Sequence, residues 1–569
     1  MSTPTATAGS GRAPGSADPR RWVALAVVLI AGFMQLVDIS IVNVAIPSIQ
    51  RDLDATYADI QWVLAGYQLA FAVMLITGGR LGDIFGRKRL FMIGMAGFTL
   101  ASALCGLAQT PDMLIASRIL QGLFGAIMFP QVLSIIQVTF PPQERATAFG
   151  LFGATIGLAT ITGPLVGGLL IQADLFGLEW RPIFLVNLPI GIAALAVAAR
   201  FLVESKAPRA LRLDPVGVVV VTAGLLLLVY PLVQGRDLGW PPWTFLSMAA
   251  SVPVLAGFAV YERYKKALDG SPLVDMDLFR QRSFVPGLLL AGIFFMGIPA
   301  FFLTFSLWLQ IGLGFSALHA GLTGAPFAVG SALASAASVR LVPVLGRRIL
   351  SAGSLLLVAG MVALMWTVDR YGGAVTSWQL LPALLLCGLG LGSVIATLVN
   401  VVLAGIRAQD AGSASGVLTT VQQIGGAIGV ALIGVVFFGL LGSQAAGVAD
   451  DVLPGLRADL QGAGLPPAAT QQVAAGFRTC FEDRANAKDP SAVPASCAQA
   501  QAQSQAQGQE EVGRVVAAAA DTARRQDFSE AFQRTLLFEV AVYLACFLLV
   551  FLLPDARGDA AGQQAGAAA

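Results

Sequence analysis

About fourteen runs of roughly twenty apolar residues, divided by short polar turns, fill most of this 569-residue chain. A helix rises about 1.5 Å per residue and the hydrocarbon core of a bilayer is about 30 Å thick, so each run has the length of one crossing. The fold class that follows is an all-α integral membrane protein with about 14 transmembrane helices. Composition agrees, since 56% of residues are hydrophobic and 12% are charged, about half the charged share of a soluble globule. A net charge of +2 carries no polyanion-binding character, and nucleic acid is not expected as a partner. Five cysteines (Cys105, Cys387, Cys480, Cys497, Cys546) and one histidine, His319, show no metal-ligand spacing. With no nucleophile, base and metal constellation, neither an enzyme nor a metal or cofactor site is expected.

Basic residues test the helix count. With fourteen crossings, Arg20, Arg21, Arg87 to Arg89, Arg145, Arg200, Arg263, Arg280, Arg347, Arg348, Arg407 and Arg557 fall on one side, and only Arg51, Arg181, Arg236 and Arg370 occupy the short turns of the other. Lys and Arg are retained on the cytoplasmic side, so both termini are expected there, with the protein in the cell inner (plasma) membrane. The first run, from Trp22, is too long for a signal peptide and lacks a small-residue cleavage site, so it reads as a retained helix.

The expected organisation is a cytoplasmic tail over 1–21 and a six-helix bundle over 22–204, then two inserted helices with linkers over 205–283 and the first five helices of a second bundle over 284–442. A long extracytoplasmic loop over 443–533, a last transmembrane helix over 534–554 and a cytoplasmic tail over 555–569 complete it. About ninety Ala/Gln-rich polar residues in one loop are far beyond an ordinary connection. Val512 to Ala523, and the stretch after Pro466 and Pro467, suit helix, but Ala and Gln equally suit disorder. Cys480 and Cys497 both lie in this loop, in an oxidising compartment, and are candidates for a disulfide.

Between the second and third runs stands the charged turn Gly79-Arg80-Leu81-Gly82-Asp83-Ile84-Phe85-Gly86-Arg87-Lys88-Arg89-Leu90. It resembles the loop signature of the major facilitator superfamily of secondary transporters. A weakened copy follows, in which Arg80, Leu81, Gly86, Arg87 and Leu90 recur as Arg340, Leu341, Gly346, Arg347 and Leu350, and Gly122, Gly150 and Gly163 match Gly388, Gly416 and Gly429. Matching halves with two helices between them imply the major facilitator fold, two six-helix bundles plus two extra helices. Asp83 is expected to dock at the positive N-terminal end of the helix beginning near Ala411, or to pair with Arg145. Gly79, Asp83, Gly86, Arg87 and Arg145 would thereby form a conformational latch favouring an outward-open state. Pro343 replaces the aspartate in the second copy, so the latch is expected on one side only.

Asp38 lies in the first run within Leu36 to Pro47, where an ionised carboxylate is expensive, so it is expected to take up and release protons near neutrality. Arg118, within Leu114 to Gly122 of the fourth run, cannot in practice lose its proton and needs an acceptor. Approach of the two in only one conformation would couple proton affinity to transport state. The first stretch resembles the first-helix signature of the fourteen-helix drug:proton antiporter family, whose aspartate is implicated in proton or cation coupling. The second resembles the superfamily's fourth-helix signature, which implies an arginine that assists proton transfer. In the fifth run Gly157, Gly163, Pro164, Gly167 and Gly168 form a tight helix-bending seam, and this stretch resembles the fifth-helix signature of exporters rather than importers. Trp180 to Gly191, and Gly412 to Gly416 with Gln422 to Gly426, resemble the same fourteen-helix family, with Pro182 in place of its usual aromatic.

Gln35, Asn43, Trp308, Gln310, Asn400 and Gln422 are polar or aromatic groups in apolar runs, fit either to line a central cavity or to bridge helices. Glu539 is a second membrane carboxylate, about one and a half turns past Arg534, which suits coupling or an interfacial place. The resemblances imply proton-coupled efflux of amphipathic or hydrophobic small molecules (drugs, dyes, antibiotics) by alternating access. The proton is then the coupling ion, membrane lipids the surroundings and a monomer the working unit. Two alternatives stay open: an exporter or flippase of a lipid or cell-envelope precursor, and a transporter-like sensor or assembly scaffold that moves nothing.

Overall fold

A computed structural model describes residues 20–206, 212–235, 238–281, 283–403, 411–487, 493–506 and 510–553. The first half contains α1 (Arg20–Leu53), α2 (Tyr57–Phe85), α3 (Arg87–Gly106), α4 (Pro111–Thr139), α5 (Pro142–Ala173) and α6 (Pro182–Phe201). An inserted hairpin follows, α7 (Pro215–Gln234) and α8 (Pro242–Asp269). The second half comprises α9 (Phe284–Gly312), α10 (Ala317–Ser338), α11 (Arg348–Ala374), α12 (Ser377–Leu403), α13 (Ala411–Gly462) and α14 (Glu510–Val550). Among the described residues thirteen of these helices are long and apolar enough to cross a membrane. With 32 helical residues, α5 is about 48 Å long and makes the fourteenth.

Local chemistry sets the starts. Thr56 caps α2 in a reciprocal box with Asp59, Thr110 accepts from Met113 N ahead of Pro111, and Asp214 accepts from Gly217 N ahead of Pro215. In each case a side-chain oxygen meets an N–H that the first turn leaves free, and proline costs nothing where no donor is needed. The internal repeat is visible in packing as well as in sequence. Gly122 of α4 rests against the main chain of Tyr67 on α2, and Gly388 of α12 rests against the main chain of Phe327 on α10. Tyr67 and Phe327 stand at the same offset as Arg80 and Arg340, so the same helix crossing is built twice.

The turn at Gly86 and the linkers of the inserted hairpin share one face of the bundle, here the basic face. Gly86 has φ 118°, and a Cβ there would collide with the Glu204 carboxylate, which accepts from the amides of Lys88 and Arg89 at 3.1 and 3.2 Å. Arg80 donates to the carbonyls of Arg212, Ser271, Pro272 and Leu273 and so ties the hairpin linkers to the signature turn. The hairpin itself lies against α2 and α13.

On the opposite face the segment read as a long loop is mostly helix. α13 continues to Gly462, helices Pro467–Asn486 and Ala495–Ala506 follow, and α14 begins at Glu510. Val448, Leu456, Leu460, Val473, Phe477 and Val512 form a small separate core in this cap, and a disulfide joins Cys480 to Cys497. A bridge across 17 residues is worth about 3 kcal/mol by chain entropy. Replacing both cysteines by serine is therefore expected to speed amide exchange across Pro467–Asn486 by about a hundredfold in hydrogen-exchange mass spectrometry, with bundle amides unchanged.

The two halves close on the cap face. Ser306 Oγ donates to the Asn43 carbonyl at 2.5 Å and Gln310 Nε2 to the Val44 carbonyl at 3.0 Å, while Tyr57 stacks on Phe438 with centroids 3.7 Å apart. Gly168 of α5 abuts the main chain of Ala317 and Leu318, and Gly321 abuts the Pro164 carbonyl. Side chains are absent from this seam, so backbone meets backbone. Near mid-depth, Thr420 Oγ1 donates to the Ala72 carbonyl at 3.4 Å along the α2–α13 contact.

Candidate functional site

Charge inside the first half is gathered at one point. Asp38 on α1 and Arg118 on α4 are both fully buried, with Nη1 2.5 Å from Oδ2. The other carboxylate oxygen, Oδ1, accepts from Gln121 Nε2 at 2.8 Å and from Asn187 Nδ2 at 3.1 Å. Arg118 Nη1 also donates to Gln121 Oε1 at 2.7 Å, and its Nε donates to the Val63 carbonyl at 3.3 Å. The guanidinium lies 4.2 Å from the Tyr67 ring centroid, so a π face covers the cation where no acceptor does. Asn187 Nδ2 is shared with Ser102 Oγ at 3.0 Å, and that hydroxyl donates to the Phe184 carbonyl at 2.9 Å.

Five helices of one bundle thus converge on one carboxylate. Gln121, one turn past Arg118, touches both ions and holds them in register. A buried pair so well supplied with hydrogen bonds keeps both charges in a low dielectric, while loss of either partner leaves an expensive charge behind. Protonating Asp38 would release Arg118, and that is the chemistry of a switch.

Between the halves, toward the cap face, lies a mostly apolar cavity of about 70 Å³, lined by Ser40, Asn43 and Pro164 from the first half and Phe302, Ser306 and Gly321 from the second. Pockets for drug-sized ligands start at about 300 Å³, so it has no room for an antibiotic-sized solute. The central passage is shut on this side.

The sequence matches the family model of the Major Facilitator Superfamily over residues 28–430. The chain belongs to that superfamily. It is 44% identical to the "Probable actinorhodin transporter" of Streptomyces coelicolor, across 92% of this chain and 90% of that protein. It is 36% identical to the puromycin resistance protein of Streptomyces alboniger, across 74% and 83%. A solved bacterial homologue of the human lysosomal transporter Spinster, inward-facing and occupied, shares the fold with a TM-score of 0.59 at 16% identity, covering 95% of this chain and 100% of that one. The protein is thus a multi-pass membrane transporter.

The transporter's other expected residues divide by neighbourhood. Within the seam, Gly163 and Gly167 pack on Ser40 and Ile41 of α1 in the same half, whereas Pro164 and Gly168 meet the second half; Gly157 lies outside the residues whose side-chain surroundings are described. Asn43 lines the cavity, and Gln310 bridges α9 to α1. Gln35 is buried and Gln422 half-buried, and Asn400 lies outside the described side chains. Trp308 takes the second of the two roles open to it, a bridge between helices: it stacks on Phe532 at 4.4 Å and donates to Ser529 Oγ at 3.1 Å, binding α9 to α14. The aromatic faces its own bundle because α14 offers it both a ring and an acceptor.

At the signature turn, Asp83 pairs with Arg87 one helical turn away at 2.8 Å. Arg145 and the first residues of α13 lie outside the described side chains. Gly79 packs beside Pro130. Glu539 is fully buried inside the second half, beside Gly297 of α9. Sequence reasoning singled out Asp38 and Arg118 and missed Gln121, Asn187 and Ser102. Asn187 stood within a family-like stretch, and polarity inside an apolar run was the available signal.

Proposed function

We propose that this transporter expels an amphipathic, hydrophobic small molecule of the antibiotic kind named for its relatives, in exchange for protons moving inward across the plasma membrane. The observation that carries the reading is the Asp38–Arg118 pair, which uptake of a proton would dissolve and which is the one ion pair among the described residues of the first half with both members fully buried. Both termini and the basic face are cytoplasmic in this reading, by the distribution of Lys and Arg. Closure at the cap face then makes the present arrangement the inward-facing one, with Asp38 ionised after delivering its proton to the cytoplasm. Uptake of the solute, rocking of the halves and protonation of Asp38 from outside would complete the cycle.

Purified protein in proteoliposomes with an imposed pH gradient provides the test. Puromycin added to one side is expected to drive a proton flux that vesicles without protein do not show. Lipid translocation without that flux would favour the flippase reading, and neither activity would favour a scaffold.

A further inference from the structure

The second half holds a buried acid in the place that corresponds to the Asp38 site. At the offset that relates Tyr67 to Phe327, Asp38 corresponds to Ile298; at the offset that relates Gly122 to Gly388, Arg118 corresponds to Leu384 and Gln121 to Cys387. By descent from the repeat this half should have no charge there. α14 supplies one. Glu539 is fully buried, and a Cβ added to Gly297, the neighbour of Ile298, would stand 2.7 Å from its Oε2 and 2.8 Å from Tyr543 Oη. In the first half the acid sits on the first helix and is met by Asn187 of the sixth. In the second half the sixth helix carries the acid and the first meets it with a glycine.

The partners differ more than the place. Asp38 has a guanidinium and two amides; at the repeat position of Arg118 the second half carries Leu384, which has no charge to offer Glu539. Among the described residues the titratable groups around it are Tyr543 on α14, Cys387 on α12 and Cys546 on α14. Neither carboxyl oxygen has a hydrogen bond of ordinary geometry, and no cation approaches within ion-pair distance among the described residues. A bare carboxylate so placed costs far more than a neutral carboxyl group. Beside it α9 is built to bend, with Gly297 facing the acid and Pro299 inside the helix.

We propose that Glu539 is a second proton-carrying site, filled from the cap face while the halves are open there, still filled in the arrangement described here, and emptied toward the basic face when bending of α9 admits water. In the present arrangement the first half is ionised and the second neutral. This rests on the alternating-access reading above but not on the identity of the solute.

Infrared difference spectroscopy of the full-length protein reads the site without transport. The carboxyl C=O band of a neutral acid is expected at neutral pH in wild type and lost in Glu539→Gln. In Gly168→Leu, where closure of the cap-face seam is disfavoured, the same band is expected to persist, because the acid stays filled while the cap face is open. Absence of the band in wild type overturns the proposal, as does its loss in Gly168→Leu. As a second measurement, protons moved per puromycin in proteoliposomes should fall by one in Glu539→Gln, and an unchanged ratio also counts against it. Should wild type show no puromycin-driven proton flux at all, the proposed function fails, while the infrared result still decides the protonation of Glu539.

Discussion

Asp38→Asn is expected to abolish proton-driven transport and leave the fold intact. The amide matches the carboxylate in shape and keeps one oxygen to accept from Arg118 or Gln121, but it binds no proton in the physiological range. Removing one member of a buried ion pair costs about 3–5 kcal/mol when the other is stranded, and the retained acceptor offsets part of that. Puromycin movement driven by a pH gradient should fall to the level of empty vesicles, whereas exchange across proteoliposomes with no gradient should persist. Gradient-driven transport at the wild-type rate would remove Asp38 from the coupling role.

Gly168→Leu is expected to trap the transporter away from the arrangement described here. A Cβ at this position would stand 2.7 Å from Leu318 Cα and 2.8 Å from the Ala317 carbonyl oxygen. These are main-chain atoms of the other half and cannot rotate aside as a side chain would. Overpacking of this kind costs about 1–3 kcal/mol, which shifts a two-state population about 5- to 150-fold. Spin labels placed across the cap-face ends of α5 and α10 should report a wider separation, and turnover should fall by up to the same factor because the closed state is populated less often. Gly439→Leu is the control: nothing lies within 4 Å of a Cβ there, and no change is expected.

Much of the bundle was legible because a helix in lipid must satisfy its own backbone, so length and apolarity alone mark a crossing. The charged pair was legible for the related reason that Asp38 and Arg118 stand out in hydrocarbon. Their neutral partners did not stand out. Gln121, Asn187 and Ser102 come from three different helices, and no spacing along the chain announces that they meet. For Glu539, counting turns from Arg534 left coupling and an interfacial place open; its burial comes from packing beside Gly297 of α9, which no spacing along α14 announces. The cap was ambiguous because Ala and Gln favour helix and disorder alike. What decides it is the packing of Val448, Leu456 and Leu460 on Val473 and Phe477, a contact between segments that only the folded chain brings together.

The 52 residues of α13 make a rod of about 78 Å, of which about 30 Å projects past Gly442. Cap, α13 and α14 all belong to the second half, so the projection is a pointer fixed to that half alone. A tilt of about ten degrees would sweep its tip by about 5 Å at that length. A fluorophore on Pro467–Asn486, paired with one at the cap-face end of α6, would make the protein its own gauge of rocking, readable one molecule at a time with no dye in the translocation path.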